Sequence, residues 1–181
     1  MPSLENYYIS GNGLVDMYPV KFAPNLSSFK AAGNSIKTLN PDQFDCNKFL
    51  KIIDLSSNLF EQIPFAIQLT PTIQILNLDN NQIQTFDVKN MPELREFSIN
   101  ANKVYHITEL PSKLTRFEVG NNRIMTIPNN VIPGTIQDLK INANSLLDIG
   151  DSSIYIRVGQ YAQTGCEDLK IGYGRQDRSF F

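Results

Sequence analysis

Residues 50–60 read Leu50-Lys51-Ile52-Ile53-Asp54-Leu55-Ser56-Ser57-Asn58-Leu59-Phe60. Apolar side chains hold the first, fourth, sixth and eleventh places, and asparagine the ninth. Either Asn58 meets a partner or it holds the chain together. The same spacing recurs from Leu4, Leu26, Ile73, Leu94, Leu114 and Ile136, at steps of 22, 24, 23, 21, 20 and 22 residues. The ninth place is asparagine every time: Asn12, Asn34, Asn58, Asn81, Asn102, Asn122 and Asn144. Seven asparagines in phase with the apolar positions mark an internal repeat.

The fourth and sixth places alternate, so they share one face of a short strand. One repeat cannot bury that face alone, but stacked copies can, with parallel strands about 4.8 Å apart. Roughly six apolar side chains per copy, each worth about 1.5–3 kcal/mol on burial, drive the stacking. The asparagine falls where the chain leaves the strand and turns inward. Backbone groups buried at such a bend need partners, and a carboxamide both donates and accepts. The seven asparagines are therefore expected to form a structural ladder.

The pattern resembles the leucine-rich-repeat signature, L-x-x-L-x-L-x-x-N/C-x-L. Departures are mild: Tyr7, Phe29, Phe97 and Phe117 stand at the fourth place, and Ala31 is small for the sixth. The resemblance implies an α/β solenoid. This is a horseshoe with a parallel sheet on its concave face and mostly irregular or 3₁₀ convex segments. Seven repeats are expected over residues 1–149. An irregular C-terminal repeat or cap follows over 150–181, with a candidate eighth repeat at 166–174 where Gly174 replaces the asparagine. The stretch Ile154–Val158 alternates like a strand and reads as an edge hairpin, an interaction element or a longer connection inside an irregular last repeat.

The linking segments are short and carry proline, which disfavours helix interiors. The exception is Asn40–Phe49. There Asn40 can cap, Pro41 suits a first turn and Asp42 complements the dipole, so the sequence predicts one short helix. Neither end shows the polar cap that solenoids use. The chain is then either part of a larger protein or one that packs through its ends against another domain or copy.

Charged residues make up 19% of the chain and net charge is −2, with no basic run, which argues against nucleic acid. No apolar stretch is long enough for a membrane span. The N-terminus has neither the basic nor the apolar part of a signal peptide. Cys46 and Cys166 would lie about five strands apart, roughly 24 Å, too far for a disulfide. Together these favour a cytoplasmic setting. The sequon at Asn25 has core residue Leu26 at its centre and reads as accidental.

No catalytic spacing appears, and no cofactor or metal is implied. The single histidine, His106, lies between apolar Val104 and Ile107 and should point outward. The stretch from Glu109 to Pro128 resembles repeats of bacterial ubiquitin-ligase effectors, whose catalytic cysteine sits in a separate domain that has no counterpart here. The chain therefore reads as a non-enzymatic module that binds a protein or peptide on its concave face. The other reading is a structural segment associating through its ends and tail. Candidate contacts are the outward third-place residues Ile52, Ile75, Glu96, Arg116 and Asp138, and the fifth-place residues Tyr8, Lys30, Asp54, Asn77, Glu118 and Lys140. Ile52 and Ile75 should be adjacent and exposed. Glu96, Arg116 and Asp138 should alternate in sign on neighbouring strands. Ordinary β-propensity and cross-strand charge pairing explain both features equally well.

Overall fold

Three residues per copy suffice to make a strand, because the ladder bonds come from neighbouring copies. In the computed structural model, which describes residues 1–128 and 130–147, the third to fifth places of the copies form seven strands. They are β1 (Asn6–Tyr8), β2 (Ser28–Lys30), β3 (Ile52–Asp54), β4 (Ile75–Asn77), β5 (Glu96–Ser98), β6 (Arg116–Glu118) and β7 (Asp138–Lys140). All neighbours are parallel and the spatial order is the chain order. The chain thus winds as a solenoid with a seven-stranded parallel sheet on one side. The register places the third-place residues in one row and the fifth-place residues in another.

Inside the coils, the fourth- and sixth-place side chains of β2 to β6 are essentially removed from water, from Phe29 and Ala31 to Phe117 and Val119. Tyr7, Ile9, Leu139 and Ile141 of the outer coils are half-buried and pack against this core. Phe97 and Phe117 stack with centroids 5.6 Å apart, and Phe86 meets both edge-on. Such aromatic pairs add specific geometry to the burial.

The asparagines tie each coil to the one before. Asn58 Oδ1 accepts from the Ile36 N–H at 3.1 Å, and its Nδ2 donates to the Ala31 and Leu55 carbonyls at 2.9 and 3.1 Å. Asn81 does the same with Phe60 N–H, Leu55 and Leu78. Asn34, Asn102, Asn122 and Asn144 repeat the arrangement. The Asn12 side chain bonds only to its own turn, donating to the Ile9 and Ser10 carbonyls. Asn58 therefore spends its amide on the bend and presents nothing to a partner.

The residue before each of these asparagines carries a second demand. Gly11, Gly33, Ser57, Asn80, Ala101, Asn121 and Ala143 all have positive φ, between 52° and 71°. The inward turn needs a left-handed residue, which costs an L side chain roughly 1–2 kcal/mol. Glycine meets that demand in only two copies.

The helix expected at Asn40–Phe49 is absent. That segment is a succession of turns, and its amides brace the preceding coil instead. Asn40 Nδ2 donates to the Met17 carbonyl at 2.7 Å, Gln43 Nε2 to Tyr18 at 2.9 Å and Asn47 Nδ2 to Ala23 at 2.6 Å. Asn40 thus caps its neighbour rather than a helix of its own. The only helix among the described residues is the single turn α1 (Phe65–Gln68). It has no side-chain N-cap, and Thr70 Oγ1 donates to the Ala66 carbonyl at its end. Burial of Ala66 and Ile67 holds it in place. No helix among the described residues is long and apolar enough to cross a membrane. The tail expectations for 150–181, including the strand at 154–158, Cys166 and the candidate eighth repeat, lie outside the described residues.

Candidate concave interface

Because side chains alternate across a strand, the buried fourth place forces the third and fifth places onto the concave surface. All eleven candidate residues from Tyr8 to Lys140 stand there, but they fall into two groups. Ile75, Asn77, Glu96, Arg116 and Glu118 line one shallow depression of about 330 Å³ over β4–β6, together with Asp79, Ser98, Leu76 and Phe97. Asp138 and Lys140 flank it on β7. Tyr8, Lys30, Ile52 and Asp54 lie toward the other end, outside the depression.

Ile75 is half-buried in the depression, and Ile52 beside it in register is likewise half-buried, where exposure was expected. Glu96, Arg116 and Asp138 stand in register with alternating sign, as expected, but they do not pair evenly across the strands. Glu96 and Arg116 are register neighbours without an ion pair, and Arg116 turns to Glu118 on its own strand, with Nε donating at 2.7 Å. Its link to Asp138 is longer, at 3.4 Å. Glu118 is the hub: Lys140 Nζ donates to it at 2.7 Å and Asn100 Nδ2 at 3.1 Å. Burial works to raise the Glu118 carboxyl, but these donors outweigh it and hold the group below its ordinary range. The hydrogen bond to Glu118 in turn raises Arg116.

Asp79 and Asn100, at the seventh place, complete the floor and were not among the sequence candidates. Asp79 Oδ1 accepts from Ser98 Oγ at 2.7 Å and from the Asn100 N–H at 2.6 Å. Asn100 Oδ1 accepts from the Gly120 N–H at 2.7 Å. A Cβ at Gly120 would meet Asn142 Oδ1 at 2.9 Å and Asn100 Oδ1 at 3.1 Å, so a side chain there would displace these amides. Inspecting the seventh column, as well as the third and fifth, would have found them.

At the other end, the Lys30 ammonium lies 5.1 Å from the centroid of the Tyr8 ring, which is 57% exposed. Asp54 bonds back to Ser56 of its own turn. His106 is exposed, as expected, and Cys46 is a free, exposed thiol.

No known protein-family model matches the chain. In sequence it is 31% identical to human epiphycan over 100 residues, covering 55% of this chain and 25% of that protein. It is 26% identical to mouse oligodendrocyte-myelin glycoprotein over 137 residues, covering 76% of this chain and 26% of that relative. In structure it is similar to the APL1 leucine-rich repeat domain, with TM-score 0.70 and 21% identity over 78% of this chain and 38% of that one. It is similar also to YopM from Yersinia enterocolitica, with TM-score 0.67 and 24% identity over 78% of this chain and 29% of the other. The chain spans about a quarter of the length of these two curated relatives.

Proposed function

We propose, from the premise that this chain is a leucine-rich-repeat protein, that it is a non-catalytic recognition module. Its partner is a protein or peptide, held on the concave face at β4–β6. Stacked repeats of this kind offer extended concave surfaces suited to such binding. The observation that carries the reading is the depression itself, with half-buried Ile75 beside the Glu96, Arg116 and Glu118 charges. An apolar anchor ringed by polar groups is the anatomy of a protein interface. The polar groups of the floor also bond to one another, with Asp79 and Glu118 both engaged by Asn100. A carboxylate so occupied is a positioning group rather than an acid or base awaiting a substrate.

The test is site-specific photo-cross-linking in cells, with the reactive residue placed at Glu96 or, as a control, at Lys89 on the convex side. A partner captured from position 96 and lost in Ile75→Glu with Arg116→Glu supports the reading. Capture from position 89 alone, unaffected by that double substitution, overturns it.

A further inference from the structure

A second surface lies on the flank of the solenoid, just past the asparagine bend. At the twelfth place of the last three described copies stand Tyr105, Met125 and Leu147, exposed by 56%, 53% and 80%. They occupy neighbouring coils: the Leu147 N–H donates to the Met125 carbonyl at 2.9 Å, and the Arg123 N–H to the Val104 carbonyl at 2.7 Å. The fold does not require apolar residues there. The same place holds Lys37, Glu61 and Gln84 in copies two to four, where the adjoining core residues Ile36, Phe60 and Ile83 are buried all the same. Two places earlier, and so on the same side of the extended chain, lie the cations Lys103 and Arg123. Lys103 Nζ donates to Gln82 Oε1, and Arg123 is exposed and forms no ion pair among the described residues.

We infer that this stripe docks an amphipathic helix of a partner protein whose apolar seam is bordered by acidic residues. The spacing selects a helix. Coils rise about 4.8 Å apiece, so the three side chains span about 9.6 Å. A helix lying along the solenoid axis presents one apolar residue per turn of about 5.4 Å, or about 10.8 Å for two turns. An extended strand presents same-face residues every 6.6–6.8 Å or so, about 13.4 Å for two steps, and misses the stripe. Apolar anchors at i, i+4 and i+7 then meet Tyr105, Met125 and Leu147. The cations at one edge select carboxylates there, since like charges facing each other repel. This surface is separate from the concave depression and does not depend on its role.

The probe is a designed helical peptide of about 18 residues with leucine at i, i+4 and i+7 and glutamate along one border. It is titrated by fluorescence anisotropy against the full chain, beside a version with lysine in place of glutamate and one interrupted by proline. The glutamate peptide is expected to bind, and the other two at least about tenfold more weakly. Met125→Glu should reduce binding by at least about tenfold without changing the circular dichroism spectrum. Arg123→Glu should reverse the preference toward the lysine peptide. Equal binding of all three peptides, no binding of the glutamate peptide, or indifference to both Met125→Glu and Leu147→Glu overturns the proposal. A photo-cross-linker at position 105 separates the occupants. Links to the peptide support it, whereas links to a second copy, or to residues 148–181 of the same chain, overturn it.

Discussion

Two seams run the length of this solenoid, one inside the bend and one on the concave floor. The inner seam uses the same residue in every copy, because every copy has the same problem. From the second copy on, an N–H and carbonyls are shielded at the turn, and a carboxamide satisfies both. The outer seam solves a similar problem with different residues each time. The seventh-place N–H is met by Ser10 Oγ at Ala32, by Asp54 at Ser56, by Asn77 at Asp79, by Asp79 at Asn100 and by Asn100 at Gly120. Water reaches that face, so any short acceptor from either of two positions will do. Burial turns a bonding requirement into a sequence rule, and exposure dissolves it.

The largest expected effect tests the inner seam. Asn81→Ala strands the buried Phe60 N–H and takes one of two amide donors from each of the Leu55 and Leu78 carbonyls, which keep Asn58 and Asn102, and should cost roughly 1–3 kcal/mol, read as a lower urea midpoint. In the same 181-residue chain, Asn12→Ala should cost less than about 0.5 kcal/mol, since Asn12 is exposed and braces only its own turn. Equal losses in the two variants would mean that the ladder bonds between coils contribute little.

Next comes the left-handed place beside the seam. Ala101 sits at φ 52°. A β-branched side chain is poorly tolerated there, so Ala101→Val should lower stability by about 1–2 kcal/mol. Ala101→Gly should raise it by about 0.5 kcal/mol, the relief of strain exceeding the extra chain entropy of glycine. A destabilised glycine variant would show that the turn is not strained.

The concave seam should be more forgiving. Asp79→Ala removes the acceptor for Ser98 Oγ and the Asn100 N–H, but water can replace it, so the cost should be about 1 kcal/mol. If its urea midpoint falls as far as that of Asn81→Ala, the contrast between a dry seam and a wet one is wrong.

The same contrast governs how much of the molecule is legible in its sequence. The coil period, the buried positions and the parallel register were readable because each depends on water exclusion. The left-handed eighth place was not, because Gly, Ser, Asn and Ala share no chemistry and the constraint acts on the backbone. The segment from Asn40 misled for a related reason. Its capping signals are real donors, but Asn40, Gln43 and Asn47 direct them to the previous coil, a choice that only packing reveals. On the concave face the rows were readable but the pairings were not. Arg116 reaches Glu118 along its own strand rather than Glu96 across the sheet, and nothing in the spacing distinguishes the two.

The smallest effect tests whether the floor is an electrostatic unit at all. Glu118 has an ordinary value of 4.5; burial would raise it, but hydrogen bonds from Lys140, Arg116 and Asn100 prevail and lower it in the folded chain. A carboxyl lowered by folding contributes stability above its unfolded value. That contribution is lost as pH falls through the folded value, below 4.5. Arg116 and Lys140 are each nearly half exposed, so solvent screening limits the contribution to about 0.5 kcal/mol. The measurement is the drop in urea midpoint between about pH 6 and about pH 3 in the native chain and in Glu118→Gln. The variant should show the smaller drop, because it has no proton to gain. Identical drops would mean that Lys140 and Arg116 hold Glu118 no more tightly than water does. The charged rim would then be free to rearrange around a partner, while the amide seam beneath it stays fixed.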